Sequence, residues 1–402
     1  MATTTSQHQL PKVEGRTSTS FVFESFDLPS TNQRTLGAPH PPNTVSPLAL
    51  RPSTHGDAAP SLHDAIATIE SLQAQDGLLT KQLATHGTLL FRGLPIHSAQ
   101  DFSEFAHAFG YSPHEIIGIV VDRPLLAPNV APANEAPKEV LIYNHNESPQ
   151  VPHAPEYIFF YCHRAPNEGG ETPISSSLEL FARAKQEIPD FINLLAEKGI
   201  RSNVTYKVDK QHAGGSTLKQ AFGKEILDTD DAETRKRKIE EQIKRYNRGK
   251  HTTWEWTDND QTLILTHHLP ALRIHPHTDA PTLFTGLAAY YKNFLAPSSP
   301  NSSRKNVTHQ LFGDGTPIPE HYLAKLADIT DQIRVLHTWQ QGDVLVFDNV
   351  GAQHGRQPWG DEQGDRVVLA SLWDGVVPGR WSRWACGHST LVGTAAMFGY
   401  QE

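Results

Sequence analysis

The sequence predicts a mainly β fold with helices: a β-sandwich or jelly roll with helices inserted into it and flanking it. Short apolar runs of strand length recur between turns, at 87–94, 139–144, 157–162, 262–267, 271–275, 282–289, 344–348 and 366–373. Stretches with helical spacing fall in the middle of the chain, at 177–199 and roughly 217–247. No internal repeat is present, and no linker is visible after residue 60.

Residues 1–60 are rich in Ser, Thr and Pro and have few periodic apolar positions. They read as an extended, partly ordered arm, which leaves 61–402 as one domain with a helical insert around 177–250. Ser61 is placed to cap a helix in which Leu62, Ile66, Ile69 and Leu72 recur at helical spacing. GTLLFRGL (87–94) reads as a strand, and 98–109 as a helix with Phe102, Phe105 and Phe109 on one side. Residues 111–138 hold several prolines and no period, and a loop that long in a compact domain usually carries function. EVLIYN (139–144) and YIFFYC (157–162) are strands, and Asn167–Gly170 is a turn. Residues 210–216 form a polar loop, 296–306 a surface loop, and 318–335 a helix with Pro319 near its start.

A chain of 402 residues with 38% hydrophobic and 20% charged residues buries a sizeable core. The net charge is −9, and the basic run Arg235–Lys238 is answered at once by Glu240 and Glu241, so nucleic acid and anionic membranes are not expected partners. The two cysteines, Cys162 and Cys386, exclude a disulfide framework and a zinc knuckle. The start, MATTTSQHQLPKVEG, has no apolar core of a signal peptide, and no stretch is long enough to span a bilayer. A cytoplasmic protein is the expectation.

His145-Asn146-Glu147 closes the apolar run EVLIYN. On an extended strand a histidine and a carboxylate two residues apart point to the same side. With one distant imidazole, His354, three ligands share one face of a metal and leave the opposite face open. With 22 His and 44 acidic residues, such pairs also arise by chance, and His277-Thr278-Asp279, with His275 beside it, is a rival. His354 follows the strand VLVFD, and Gly355 permits a close approach there. Arg366 opens the run VVLASLW; inside a strand its guanidinium needs an anion, and its planar fork suits a carboxylate. A salt bridge to Asp343 or Asp374 would also satisfy it. Thr172, in GGETP, offers a hydroxyl to the same carboxylate, or is an ordinary strand threonine.

The strings HNES…PEYIFFYCHRAPNEGGETPISS and WQQGDVLVFDNVGAQHGRQPW…GDRVVLASLWDG together resemble the TauD/TfdA (taurine dioxygenase-like) family of Fe(II)/2-oxoglutarate-dependent oxygenases. The closer likeness is to the branch near clavaminate synthase and the amino-acid hydroxylases of natural-product pathways, which uses H-x-E where taurine dioxygenase uses H-x-D. PALRIHPHTDAPTLFTGLAAYY is similar to the family's segment between the two ligand regions, and the likeness covers about 85–375.

The resemblance implies a clavaminate synthase-like double-stranded β-helix and iron ligation by His145, Glu147 and His354. It also implies a salt bridge from Arg366, supported by Thr172, to the distal carboxylate of 2-oxoglutarate, and it puts His277 at a non-ligand position. The implied cofactors are Fe(II), 2-oxoglutarate and O2. The implied reaction is hydroxylation of an unactivated C–H bond of an amino-acid-like or secondary-metabolite small molecule, with release of succinate and CO2. Desaturation, oxidative cyclisation and epimerisation would use the same residues. A catalytically silent jelly-roll binding protein and a Zn(II) hydrolase are the readings from other classes. Glu147 argues against a halogenase, which carries a small residue there. Ala370 stands where taurine dioxygenase has its sulfonate-binding arginine, so taurine is not the expected substrate. The loops 111–138 and 207–217 are candidate lids, and the tail Gly379–Trp384 either lines the pocket or packs on the surface. The expected partner is a small-molecule substrate, with a homo-oligomer left open.

Overall fold

The computed structural model describes residues 21–54, 61–118, 124–133, 136–208, 217–246, 251–297 and 309–375. Two sheets form the centre of the fold. The major sheet runs in the order Phe21–Ser25, Leu48–Thr54, Thr88–Phe91, Val344–Asp348, Tyr157–Arg164, Val367–Asp374 and Ser112–Pro113, with Ala131–Pro132 also paired to Val367–Asp374. The minor sheet runs Val335–His337, Thr172–Ser176, Ala352–Arg356, Ile142–His145. One apolar cluster joins them: Ile158, Leu345, Phe347 and Val368 of the major sheet meet Ile174, Val335 and Ala352 of the minor one. Two faces packed on a shared core make this the jelly-roll architecture expected of the sequence.

The apolar runs are unbroken because the central strands are buried on both sides. Side chains alternate across a strand. In Val344–Asp348, Leu345 and Phe347 point between the sheets, while Val344 and Val346 join Phe102, Phe105 and Phe109 in a second cluster on the outer face. Helices cover that face. Leu62–Ala74 is capped by the Ser61 side chain, which accepts from the Asp64 amide. Ala99–His107 starts with a reciprocal capping box between Ser98 and Asp101. A third cluster packs Leu180, Phe181, Leu323, Leu326 and Ile329 around Tyr143 of the minor sheet.

Several elements differ from the sequence reading. Much of the supposed arm is sheet: Phe21–Ser25 pairs with Leu48–Thr54, which runs parallel to Thr88–Phe91, and Ala49 and Leu50 are fully buried. Residues 1–20 and 55–60 lie outside the described residues. The helix expected over 177–199 is two helices, Ser177–Glu187 and Pro189–Lys198, because Pro189 has no N–H and bars Ile188 from helical backbone. Ser177–Glu187 packs on the jelly roll rather than in an insert. The stretch 217–247 likewise divides into Leu218–Phe222 and Ala232–Lys244, the second capped by Asp231. Within 282–289 only Leu283 and its neighbour Thr282 are strand, and Leu287–Tyr290 is helical.

A further sheet joins the insert to strands beyond residue 250, in the order Thr252–Thr257, Thr262–Leu269, Ile200–Lys207, His309–Phe312; of these only the strand at 262–267 was expected from the sequence. Ile200–Lys207 is polar at most outward positions, so its apolar signal is thin. The insert's two helices pack on this sheet through Leu218, Phe222, Ile239 and Ile243.

Candidate active site

Ile142–His145 and Ala352–Arg356 lie side by side in the minor sheet, and His145 and His354 are register partners. Their rings are 4.7 Å apart. Glu147 stands just past the strand end on the same side. Its Oε2 is 3.4 Å from His354 Nε2 and 4.0 Å from His145 Nε2. One donor atom from each of the three side chains lies within 4.8 Å of the others.

His145 Nδ1 donates to the Tyr143 carbonyl at 2.8 Å, which fixes the tautomer and leaves the Nε2 lone pair facing Glu147. His354 is held between the rings of Phe160 and Phe347, 5.1 and 5.5 Å away. Burial, and then the neighbouring His354, lower the His145 imidazole to about 4. Burial opposes ionisation of Glu147, but the hydrogen bond and charge of His354, then His145 and Ser148, override it and hold the carboxyl at about 2. A neutral imidazole and an ionised carboxylate are the forms that bind a metal. Two imidazole nitrogens and one carboxylate oxygen on one face match the donor set of a non-haem iron site, so these residues fit the metal the sequence implies.

The strand register shifts between His354 and Arg356, and Gly355 sits at that irregularity. A Cβ on Gly355 would run into the Ile142 carbonyl and crowd Pro173. Only glycine lets the two ligand strands approach this closely. Gly355→Ala is expected to destabilise the protein by about 1–3 kcal/mol, as overpacking does. A lower urea midpoint at unchanged m-value checks this; an unchanged midpoint would show that the strands part freely.

The sequence reading missed the asparagines that hold this frame. Asn146 lies between the two ligands, points to the opposite side and is fully buried. Its Nδ2 donates to the Asn349 carbonyl at 2.6 Å and to Ser177 Oγ at 3.0 Å, while its Oδ1 accepts from the Thr285 amide at 2.9 Å. Asn349, also fully buried, clamps the Glu147 backbone from both sides. Its Oδ1 accepts the Glu147 N–H at 2.6 Å, and its Nδ2 donates to the Glu147 carbonyl at 3.1 Å. Glu147 is thereby fixed although the strand has ended. The only sequence signal was the polar pair Asp348-Asn349 after an apolar strand, and that pattern is common at turns.

The rival histidines go elsewhere. His275 is buried and its Nε2 meets Asp348 Oδ2 at 2.7 Å. His277 and Asp279 are exposed on a turn, and His277 meets the Tyr157 hydroxyl at 3.3 Å. Among the described residues they form no three-donor group with His354.

Arg366 reaches the same cavity. Its Nε donates to the Gly170 carbonyl at 2.7 Å and its Nη2 to Thr172 Oγ1 at 3.3 Å. Trp339 Nε1 also donates to Thr172 Oγ1, at 3.0 Å. Gly170 has φ +64°, and a Cβ there would lie 2.8 Å from Arg366 Cδ, so glycine is required both for the turn and for the arginine's path. The acids that might have paired with Arg366 are taken: Asp343 by Arg92 at 2.7 Å, and Asp374 by His114 and His153. Among the described residues no carboxylate forms a salt bridge with Arg366. Burial, then the like charge of Arg356, lower its guanidinium to about 10. Arg356 itself donates to the carbonyls of Ala136, Pro137 and Val140.

The three-donor cluster, Arg366 and Thr172 line one cavity of about 490 Å³. Val368, Ala370 and Leu372 form an apolar wall along the last strand, and Lys224 of the insert also lines the cavity. Described parts of the loop 111–138 contribute His114, Leu125 and Asn129. Residues 209–216 of the other candidate lid, and the tail Gly379–Trp384, lie outside the described residues. Among the described residues no helix is long and apolar enough to cross a membrane.

Residues 49–373 match the family model described as taurine catabolism dioxygenase TauD, TfdA family. The chain belongs to the TauD/TfdA family. This is a family of 2-oxoglutarate-dependent dioxygenases that use Fe(II), and it implies a small-molecule substrate. The chain is 30% identical over 326 residues to a clavaminate synthase-like protein of Arabidopsis thaliana, covering 81% of this chain and 93% of that protein. It is 28% identical over 304 residues to the dapdiamide synthesis protein DdaC of Enterobacter agglomerans, covering 74% of this chain and 84% of that protein. A solved structure of asparagine oxygenase with Fe(II), 2S,3S-3-hydroxyasparagine and succinate aligns with a TM-score of 0.44 and 14% identity, over 78% of this chain and 83% of that one.

Proposed function

We propose that this TauD/TfdA oxygenase hydroxylates an unactivated C–H bond of an amino-acid-like or secondary-metabolite substrate, with His145, Glu147 and His354 holding Fe(II) and Arg366 and Thr172 anchoring 2-oxoglutarate. The observation that carries the reading is Arg366. A buried guanidinium without an acidic partner among the described residues opens onto the same cavity as a two-histidine, one-carboxylate cluster. A charge in that position calls for an anion. The fork leaves Nη atoms for a carboxylate while Nε stays on Gly170, and the Thr172 hydroxyl is positioned to share the load.

When bound, iron supplies the activation of O2 at the expense of 2-oxoglutarate, which leaves as succinate and CO2. The chain's own part is positional. His145 presents Nε2 because Tyr143 holds Nδ1, Glu147 supplies the charge, and Asn349 keeps Glu147 in place. The apolar wall at Val368, Ala370 and Leu372 accepts a substrate without a sulfonate at that end. The dapdiamide synthesis protein supports a natural-product substrate. The catalytic unit is one domain over 61–402 joined by the two strands at Phe21–Ser25 and Leu48–Thr54.

The test is spectroscopic. Under anaerobic conditions, Fe(II) and 2-oxoglutarate should give wild type a weak visible metal-to-ligand charge-transfer band. His145→Ala should lose it and His277→Ala should keep it. No band in wild type, or loss in His277→Ala alone, would sink the assignment. Substrate-dependent succinate formation across a metabolite panel then identifies the substrate.

A further inference from the structure

A second group of metal-type donors stands outside the iron triad, and we infer that His114, His153 and Asp374 form a second divalent-cation site of the zinc class. The three residues come from separate segments. His114 follows the short strand Ser112–Pro113, His153 lies in the loop between Glu147 and Tyr157–Arg164, and Asp374 is the last residue of Val367–Asp374. His114 Nδ1 is 2.6 Å from Asp374 Oδ1, and His153 Nε2 is 3.1 Å from Asp374 Oδ2. The two imidazole rings are 4.5 Å apart, and the donor atoms of all three residues lie within 4.8 Å of one another. Both histidines are buried, and the Asp374 side chain is 15% exposed.

The donor set favours a cation here. Asp374 turns one carboxylate oxygen to each of two buried imidazoles, an arrangement whose hydrogen bonds a cation would replace with metal bonds. Glu156, also buried, accepts with Oε1 from the amide of Gly375, the residue after Asp374, at 3.0 Å. Two nitrogens and one oxygen suit zinc, with water as a fourth ligand. Metal bonds of about 2.0–2.2 Å set neighbouring donors a little over 3 Å apart. The His114–Asp374 pair therefore opens by less than about 1 Å, and the His153–Asp374 pair is already near that spacing.

The site would fasten the end of the strand that begins just after Arg366 to the loop that follows Glu147. Tyr246 of the insert packs its ring 4.4 Å from His153 and donates to Glu115 at 2.6 Å, so the insert rests on the same point. His114 also lines the main cavity.

The experiment uses the metal-free full chain and Co(II) alone as probe, with bound metal counted by elemental analysis and geometry read from visible absorption. Two equivalents are expected in wild type and one in His145→Ala, the survivor showing the strong absorption of a four-coordinate site. His153→Ala should also bind one equivalent while keeping the Fe(II)–2-oxoglutarate band; Asp374→Asn serves if His153→Ala does not fold. One equivalent in wild type together with none in His145→Ala overturns the proposal and leaves a hydrogen-bonded cluster only. Because wild type and His145→Ala decide it, failure of the iron assignment and failure of this site are read separately.

Discussion

His354→Ala is expected to lower 2-oxoglutarate turnover more than about 100-fold, beyond the ~10–100-fold that losing a residue behind the ligands costs. The remaining donors, His145 and Glu147, sit two residues apart on one segment, with their donor atoms 4.0 Å apart. They cannot enclose a face of the metal without the partner strand. His354 is the strand-to-strand member of the set, and its imidazole sits 3.4 Å from the Glu147 carboxylate. Its removal also opens space between Phe160 and Phe347, so some loss of stability accompanies the loss of metal. The measurement is succinate formation at saturating Fe(II), together with bound iron per chain. Wild-type turnover with a full equivalent of iron in the variant would remove His354 from the ligand set.

Arg366→Ala should raise the KM for 2-oxoglutarate by roughly 30-fold to several thousand-fold, because truncating one partner of a buried, hydrogen-bonded charge pair costs about 2–5 kcal/mol. Fe(II) affinity should stay near wild type, since Arg366 bonds to Gly170 and Thr172 and to none of the three donors. Arg366→Lys should fall between. An ammonium restores the charge, but it does not reproduce both the Nε bond to Gly170 and a fork for the carboxylate. Thr172→Val should have a smaller effect, about tenfold or less, in keeping with one neutral hydrogen bond. Initial rates at varied 2-oxoglutarate, with iron binding measured in parallel, decide it. An unchanged KM in Arg366→Ala would assign the arginine to structure alone.

The legible parts of the fold were those whose signal is local. YIFFYC and VLVFD read as strands because burial on both faces leaves no polar residue to interrupt them. The helix at Leu62–Ala74 announced itself through Ser61 and an apolar stripe. The elements misread were those whose stability comes from far away. Leu48–Thr54 sits in a Ser- and Pro-rich stretch, yet it is a strand because Thr88–Phe91 and Phe21–Ser25 supply its hydrogen bonds. Ile200–Lys207 has a polar pattern and becomes a strand by pairing with Thr262–Leu269 over its full length.

The site divides the same way. The amino-acid order alone determined that His145 and Glu147 share a side, because residues two apart on a strand point alike. It also placed His354 and Arg366 at the edges of apolar strands, and the motifs together identified the family. Which histidine pair meets His354 was decided by tertiary structure: strand register sets His145 opposite His354, while His275 turns away to Asp348 and His277 to the surface. The fate of Arg366 was decided there too. Asp343 and Asp374 were equally plausible partners along the chain, and folding gives one to Arg92 and the other to two histidines. The reason is physical. Side-chain direction along a strand is a property of neighbouring residues, whereas an ion pair or a shared metal needs charges brought together across roughly two hundred residues by the closure of two sheets.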